Sequence, residues 1–178
     1  MGKFVFGLIL GLIVMPASVY YYFASGRAPV AAGAPPMPFE KTLARKALHA
    51  RLGKEIPKGV PIPADETNFA AGADVYKQNC AFCHGLPGQP ETNAPKGMFP
   101  YPTQLFKGTG VTDDPAEESF WKAANGIRMS GMPGFKNTLT NTQLWQVSVL
   151  VANADKLPPS VVSRLSANPT ASTPASAK

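Results

Sequence analysis

The chain has 178 residues, 44% of them hydrophobic and 16% charged, and a net charge of +6 from 17 Lys and Arg against 11 Asp and Glu. The basic excess belongs to the flanks, because residues 67–157 hold seven bases and seven acids while residues 1–66 hold eight bases and four acids. A neutral central stretch excludes the basic face on which nucleic-acid recognition depends, and two cysteines only three positions apart exclude a disulfide framework.

Residues 1–24 predict a membrane anchor. Within them residues 4–23, FVFGLILGLIVMPASVYYYF, carry no charge, and 20 residues of helix span about 30 Å, the thickness of a bilayer core. A cleaved signal peptide is the competing reading, since Lys3 gives a positive start, but the apolar region of such a peptide is usually about 7–15 residues. Tyr20, Tyr21 and Tyr22 fall where amphipathic rings favour the membrane–water interface. Gly7 and Gly11 are spaced to let a second helix approach closely, or are simply incidental.

Residues 25–66 read as a linker. The stretch 24–38, ASGRAPVAAGAPPMP, has no periodic apolar set and predicts an extended tether. Residues 39–54, FEKTLARKALHARLGK, are rich in good helix formers and carry five bases against one acid. At 100° per residue Phe39, Leu43, Ala47 and Ala50 share a side, with Leu48 and Leu52 opposite, so the amphipathic stripe is modest. Such a helix suits an anionic lipid surface, a partner subunit, or a plain solvated connection. His49 within it is expected to be a surface side chain.

The chemistry concentrates in CAFCHG, residues 80–85. Cys-x-x-Cys-His is the pattern of covalent c-type haem attachment. Cys80 and Cys83, one helical turn apart, can carry one porphyrin as two thioethers, and His84 then presents its imidazole to the iron. A zinc site needs about four ligands and would consume both cysteines, His84 and the distant His49. A thioredoxin-like redox pair lacks its β-α-β context. Residues 85–110 are too rich in Pro and Gly for regular structure and are expected to wrap the haem edge, one carbonyl accepting from His84 Nδ1.

Residues 119–127, SFWKAANGI, predict a short helix closed by Gly126. It leads into GIRMSGMPGF, residues 126–135. The candidates for a sixth iron ligand are Met98, Met129 and Met132. Gly131 before Met132 permits close approach to a porphyrin and Pro133 after it stiffens the loop, so Met132 is the expected ligand and Met129 the space-filling neighbour. The helix predicted from residue 141 is capped by Thr140 or Asn141 and buries Leu144, Val147 and Leu150 or Val151. Trp145 is expected to pack or to line a haem edge. Residues 158–178 are Ser-, Ala-, Pro- and Thr-rich and read as a flexible C-terminal tail.

On these motifs residues 67–157 resemble a class I cytochrome c, with Gly72, Tyr76 and Cys80 at four-residue steps leading into the haem motif. The resemblance implies an all-α fold: a small helical domain around one covalently bound haem c, preceded here by a single transmembrane helix. Cys80 and Cys83 would hold the haem, and His84 and Met132 would be its axial ligands, the methionine lying in the Gly-Met-Pro sequence customary for the family. One departure is Leu150, which by register stands where the family usually crosses the glycine of its first helix with an aromatic.

The implied function is single-electron transfer rather than enzymatic turnover, as a subunit of respiratory or other membrane redox complexes or a shuttle between them. The partners would be inner-membrane complex subunits or another cytochrome, and the membrane itself through residues 4–23. Because haem is attached to this motif outside the cytoplasm, the anchor is expected to run N-in and C-out across a bacterial inner membrane, with the haem domain in the periplasm. Two rival readings are a haem-based small-ligand sensor or peroxidase with an open sixth site, and a structural subunit of a membrane complex.

Overall fold

The computed structural model describes residues 1–107 and 114–167. Among them are seven α-helices, one 3-10 turn and no strand, so the protein is all-helical as expected. The chain divides into two compact units, Met1–Arg45 and Lys46–Lys178.

The first unit is built on α1, Gly2–Ala24, a 23-residue helix with no buried side chain that is long and apolar enough to cross a bilayer. Past its end the Arg27 guanidinium lies over the Tyr21 ring, 5.3 Å from the centroid. The stretch expected to be an extended tether differs. It turns between Ala31 and Ala34 and folds back, so that Pro35, Pro36 and Met37 line a cavity together with Tyr22 and Arg27. The turn is centred on Ala32 and Gly33, a small pair whose closing hydrogen bond leaves no periodic mark in the sequence. Helix α2, Glu40–Glu55, then begins, one residue later than expected.

The second unit holds the core. Helix α3, Glu66–Asn79, is capped by Asp65, whose carboxylate accepts from the Asn68 N–H at 2.9 Å. Helix α6, Asn141–Ala152, opens on a reciprocal capping box between Thr140 and Gln143, which makes Thr140 the cap. These two helices cross at Gly72. A Cβ there would strike the Gln146 carbonyl oxygen and lie 3.2 Å from Leu150 Cβ. Leu150 is fully buried and fills the crossing at which the resembled family usually has an aromatic.

Phe69, Ala73 and Tyr76 of α3 meet Val147, Leu150 and Val151 of α6 in one continuous core. Full burial of an aliphatic or aromatic side chain contributes about 1.5–3 kcal/mol, so this crossing dominates the stability of the unit. Residues 147 to 151 are all buried, which makes α6 a central helix rather than an amphipathic one. Its far side is covered by α5, Ala116–Asn125, whose Phe120 stacks on Trp145 at 4.1 Å between centroids. Trp145 is therefore a packing residue. The end of α2 also docks here: Leu52 is buried, and Glu55, paired with Arg51 at 2.7 Å, accepts from Trp121 Nε1 at 3.1 Å.

The tail expected to be flexible from residue 158 begins instead with a helix, Pro159–Ser166, here α7. Val161 and Leu165, one turn apart, are buried against the core. Arg164 reaches Asp74 of α3 with Nε at 2.8 Å and Nη2 at 2.5 Å, Lys77 Nζ donates to the Arg164 carbonyl at 2.8 Å, and Ser160 bonds Glu66. A two-residue apolar contact with a partner far away in sequence leaves little trace in composition. The rest of that tail, residues 168–178, lies outside the described residues.

The Arg164 hydrogen bond is the main reason the Asp74 carboxyl is held below the usual carboxylate range, with burial opposing it and the charges of Arg164 and Lys77 assisting. A lowered folded-state pKa stabilises above the ordinary carboxylate pKa and is lost as pH falls through the lowered value. Asp74→Asn should therefore melt below the parent protein at neutral pH, and the gap should close on acidification through about pH 4 and below. Melting curves across pH check this; a gap independent of pH would show that the pair contributes only packing.

Candidate functional site

Helix α3 ends at Cys80, and the next turn, α4, Ala81–His84, carries Cys83 and His84. The Cys80 carbonyl accepts from the N–H groups of Cys83 at 3.1 Å and His84 at 2.9 Å, so all three expected residues sit on a single turn. Both cysteines are free and partly buried. Burial, and secondarily the neighbouring Cys83, pushes the Cys80 thiol up to about 12, so it is a neutral thiol at physiological pH.

His84 Nδ1 lies 2.7 Å from the Thr103 carbonyl oxygen. A carbonyl only accepts, so Nδ1 carries the proton and Nε2 keeps its lone pair for a metal. Burial holds the His84 pKa below its ordinary value, outweighing the hydrogen bond that raises it, which favours the neutral ligand form. The accepting carbonyl expected somewhere in residues 85–110 is thus that of Thr103.

Two more hydrogen bonds fasten the same loop to the turn: Gln104 Nε2 donates to the Cys83 carbonyl at 2.9 Å, and the Leu105 N–H donates to the His84 carbonyl at 3.1 Å. Gly85, at φ 75, leaves room for Gln104, because a Cβ there would stand 2.5 Å from its Oε1. Tyr76 is fully buried, donates its hydroxyl to the Gly85 carbonyl at 2.8 Å and packs edge-on against Phe106 at 5.1 Å. Burial pushes its phenol pKa up, so it remains a donor. Thr103, Gln104 and Phe106 were not singled out from sequence, and the only signal was Gly85 directly after His84. The loop is irregular as expected apart from the 3-10 turn Pro95–Gly97, and residues 108–110 lie outside the described residues.

Met132 arrives from a separate loop after α5. Gly126 closes α5 at φ 69, a positive backbone angle that glycine takes without strain, so the helix stops at the expected residue. A Cβ on Gly126 would lie 2.6 Å from the Gly134 nitrogen, and one on Gly134 would lie 2.6 Å from the Asn125 carbonyl carbon. The loop ends therefore cross in direct backbone contact. Inside it the Ile127 N–H donates to the Met132 carbonyl at 3.2 Å, and Ser130 Oγ donates to the Ile127 carbonyl at 2.7 Å. The Met132 side chain is partly buried.

Met129 sits at φ 59 in the turn of the loop, and 90% of its side chain is left uncovered by the protein. Met98, the third candidate, packs its methyl against Gly131 next to Met132. His49 is exposed on α2, as expected. Among the described residues no hydrogen bond joins Met132 to the turn bearing His84.

The donors fit a haem: two thiols one turn apart, a neutral imidazole with Nε2 free, and a thioether on a loop stiffened at both ends. Among the described residues no three His, Cys, Asp or Glu side chains are grouped to hold a single ion. Residues 67–150 match the family model described as cytochrome c oxidase, cbb3-type, subunit III. The match runs from the first turn of α3 into α6 and includes Cys80, Cys83, His84 and Met132. Neither curated proteins nor solved structures give a significant match.

Proposed function

We propose that the chain is a membrane-tethered monohaem electron carrier, whose residues 67–150, matched by the family model, form a class I c-type cytochrome domain. Cys80 and Cys83 bind the haem as thioethers, and His84 Nε2 and Met132 Sδ ligate its iron. When bound, the haem supplies one-electron chemistry at a potential that a thioether ligand raises. The observation that carries this reading is the His84 Nδ1 contact to Thr103 at 2.7 Å, which leaves the ligating nitrogen free beside two thiols.

The protein's own residues divide the remaining work. The Thr103 carbonyl fixes the imidazole tautomer and ring plane. Gln104 and Leu105 clamp the loop to the turn, and Tyr76 and Phe106 close the interior behind it against water. The crossing of Gly126 and Gly134 pre-orders the methionine loop, so less conformational entropy is lost when Met132 binds.

Helix α1 serves as the anchor in this reading, N-in and C-out across a bacterial inner membrane, with the cytochrome domain in the periplasm. Its length and apolar composition support that assignment, as does haem attachment outside the cytoplasm. The partner is a membrane redox complex, of which the chain is a subunit, or another cytochrome served by a tethered shuttle. The test is the visible spectrum of the holoprotein isolated from membranes. One haem per chain in a low-spin ferrous state that ignores carbon monoxide is expected; a high-spin ferrous form that binds it at once would overturn the carrier reading in favour of a sensor or peroxidase.

A further inference from the structure

Beyond the reading of α1 as a membrane span, and resting on it, the first unit ends in a surface that the electron-transfer function leaves unused. We propose that Phe39 and Leu43 seat the start of α2 in the interfacial layer of the bilayer that α1 spans. Arg27, Lys41 and Arg45 supply the positive charge that meets anionic headgroups.

Four observations lead there. The chain after α1 doubles back, and Pro35, Pro36 and Met37 face Tyr22 and Arg27 across a cavity of about 400 Å³. Phe39 is two residues beyond Met37, so it is held at the level of the tyrosines at the outer end of α1 instead of being carried away by an extended tether. The turn that delivers it is built on hydrogen bonds. The Glu40 N–H donates to the Met37 carbonyl at 3.1 Å, the Met37 N–H donates to Glu40 Oε2 at 2.7 Å, and the Leu43 N–H donates to the Phe39 carbonyl at 2.8 Å.

Phe39 is also left-handed, at φ 65, one of two non-glycine residues with positive φ among those described. A bulky aromatic rarely adopts that conformation, and it persists only where the surroundings impose it. Its product here is an aromatic side chain 76% exposed, followed one turn later by Leu43 at 64%.

Finally, past α1 the first unit has three cations and one acid, and the acid, Glu40, is engaged in the turn. Apolar side chains beside cations, next to a membrane span, match the composition of segments that lie in the interface, apolar face down among acyl chains and charges among phosphates. A protein partner would serve the apolar pair equally well but gives no role to the proximity of Tyr22. The bilayer accounts for both.

Single spin labels report the depth directly, because Cys80 and Cys83 are consumed as thioethers in the holoprotein. The full-length holoprotein, in its air-oxidised form in vesicles of phosphatidylcholine and phosphatidylglycerol, is labelled in turn at Phe39→Cys, Leu43→Cys, Ala44→Cys and Val14→Cys. Collision with oxygen, relative to a water-soluble nickel chelate, should be at least about threefold higher at positions 39 and 43 than at position 44, and highest at position 14. Replacing phosphatidylglycerol with phosphatidylcholine should lower the ratio at 39 and 43, and no change would overturn the role given to the cations. A deep position 14 with 39 and 43 as aqueous as 44 overturns this proposal alone. Aqueous values at all four positions overturn the membrane span and this proposal with it. Labels at 39 and 43 shielded from both reagents would point to protein contact and also overturn it.

Discussion

Met132→Ala is expected to yield a haem protein that binds carbon monoxide in its ferrous state and whose reduction potential falls by on the order of 0.1 V or more, within the ~0.8 V that axial ligands command. The thioether stabilises ferrous iron, and alanine offers no lone pair in its place. The loop should survive the substitution, because its geometry rests on the backbone crossing of Gly126 and Gly134 and on Ser130, not on the methionine side chain. Met129→Ala is the matched control. Its side chain makes little contact with the rest of the protein, being 90% exposed, so both spectrum and potential should stay close to those of the parent. Met98, whose methyl rests on Gly131, is the one other thioether beside the loop. If a thioether spectrum persists in Met132→Ala, the Met98→Ala, Met132→Ala pair should abolish it. A redox titration with ligand-binding spectra decides the matter, and loss of the thioether signature in Met129→Ala instead would refute the assignment.

What could be read in the sequence was local or strongly periodic. The turn from Cys80 to His84 is a contiguous motif, and its three side chains do stand on one helical turn. Gly126 was readable as a helix stop because only glycine takes φ 69 without strain. The missed features are long-range. Arg164 meets Asp74 ninety positions away, and α7 is too short for a periodic signal, so a Ser- and Pro-rich composition concealed a docked helix.

Thr103 and Gln104 were concealed for a related reason. Their task is set by distance to the haem-motif turn, and nothing in a Pro- and Gly-rich stretch marks one carbonyl over another. The positive φ of 59 at Met129 was likewise unmarked, since nothing in the sequence sets the backbone of that methionine apart from its neighbours. Leu150 shows the opposite case. The crossing depends on the absence of a side chain at Gly72, so a fully buried leucine serves where the resembled family usually has an aromatic.

That dependence makes a large loss of stability the expected result of adding one methyl group in Gly72→Ala. In an exposed helix, replacing glycine with alanine stabilises by about 0.5–1 kcal/mol, because the unfolded chain loses freedom and helix propensity rises. Gly53, in α2 with nothing within 4 Å of an added Cβ, should behave that way. At Gly72 the added Cβ meets the Gln146 carbonyl group, with the carbon at 2.7 Å, and that group belongs to the backbone of α6. No rotamer change relieves such a contact, so α3 and α6 must part, opening gaps around Tyr76 and Val147. Overpacking of this kind costs about 3 kcal/mol, which lowers Tm by on the order of 10–20 °C for a domain of this size. The damage should extend to the site, because α3 runs from Gly72 through Tyr76 to Cys80 without a break. Weaker His84 ligation in Gly72→Ala, seen as a broadened low-spin spectrum below its melting point, is therefore expected together with the lowered Tm. If both glycine variants melted alike, the close crossing at Gly72 would not be what holds α3 and α6 together.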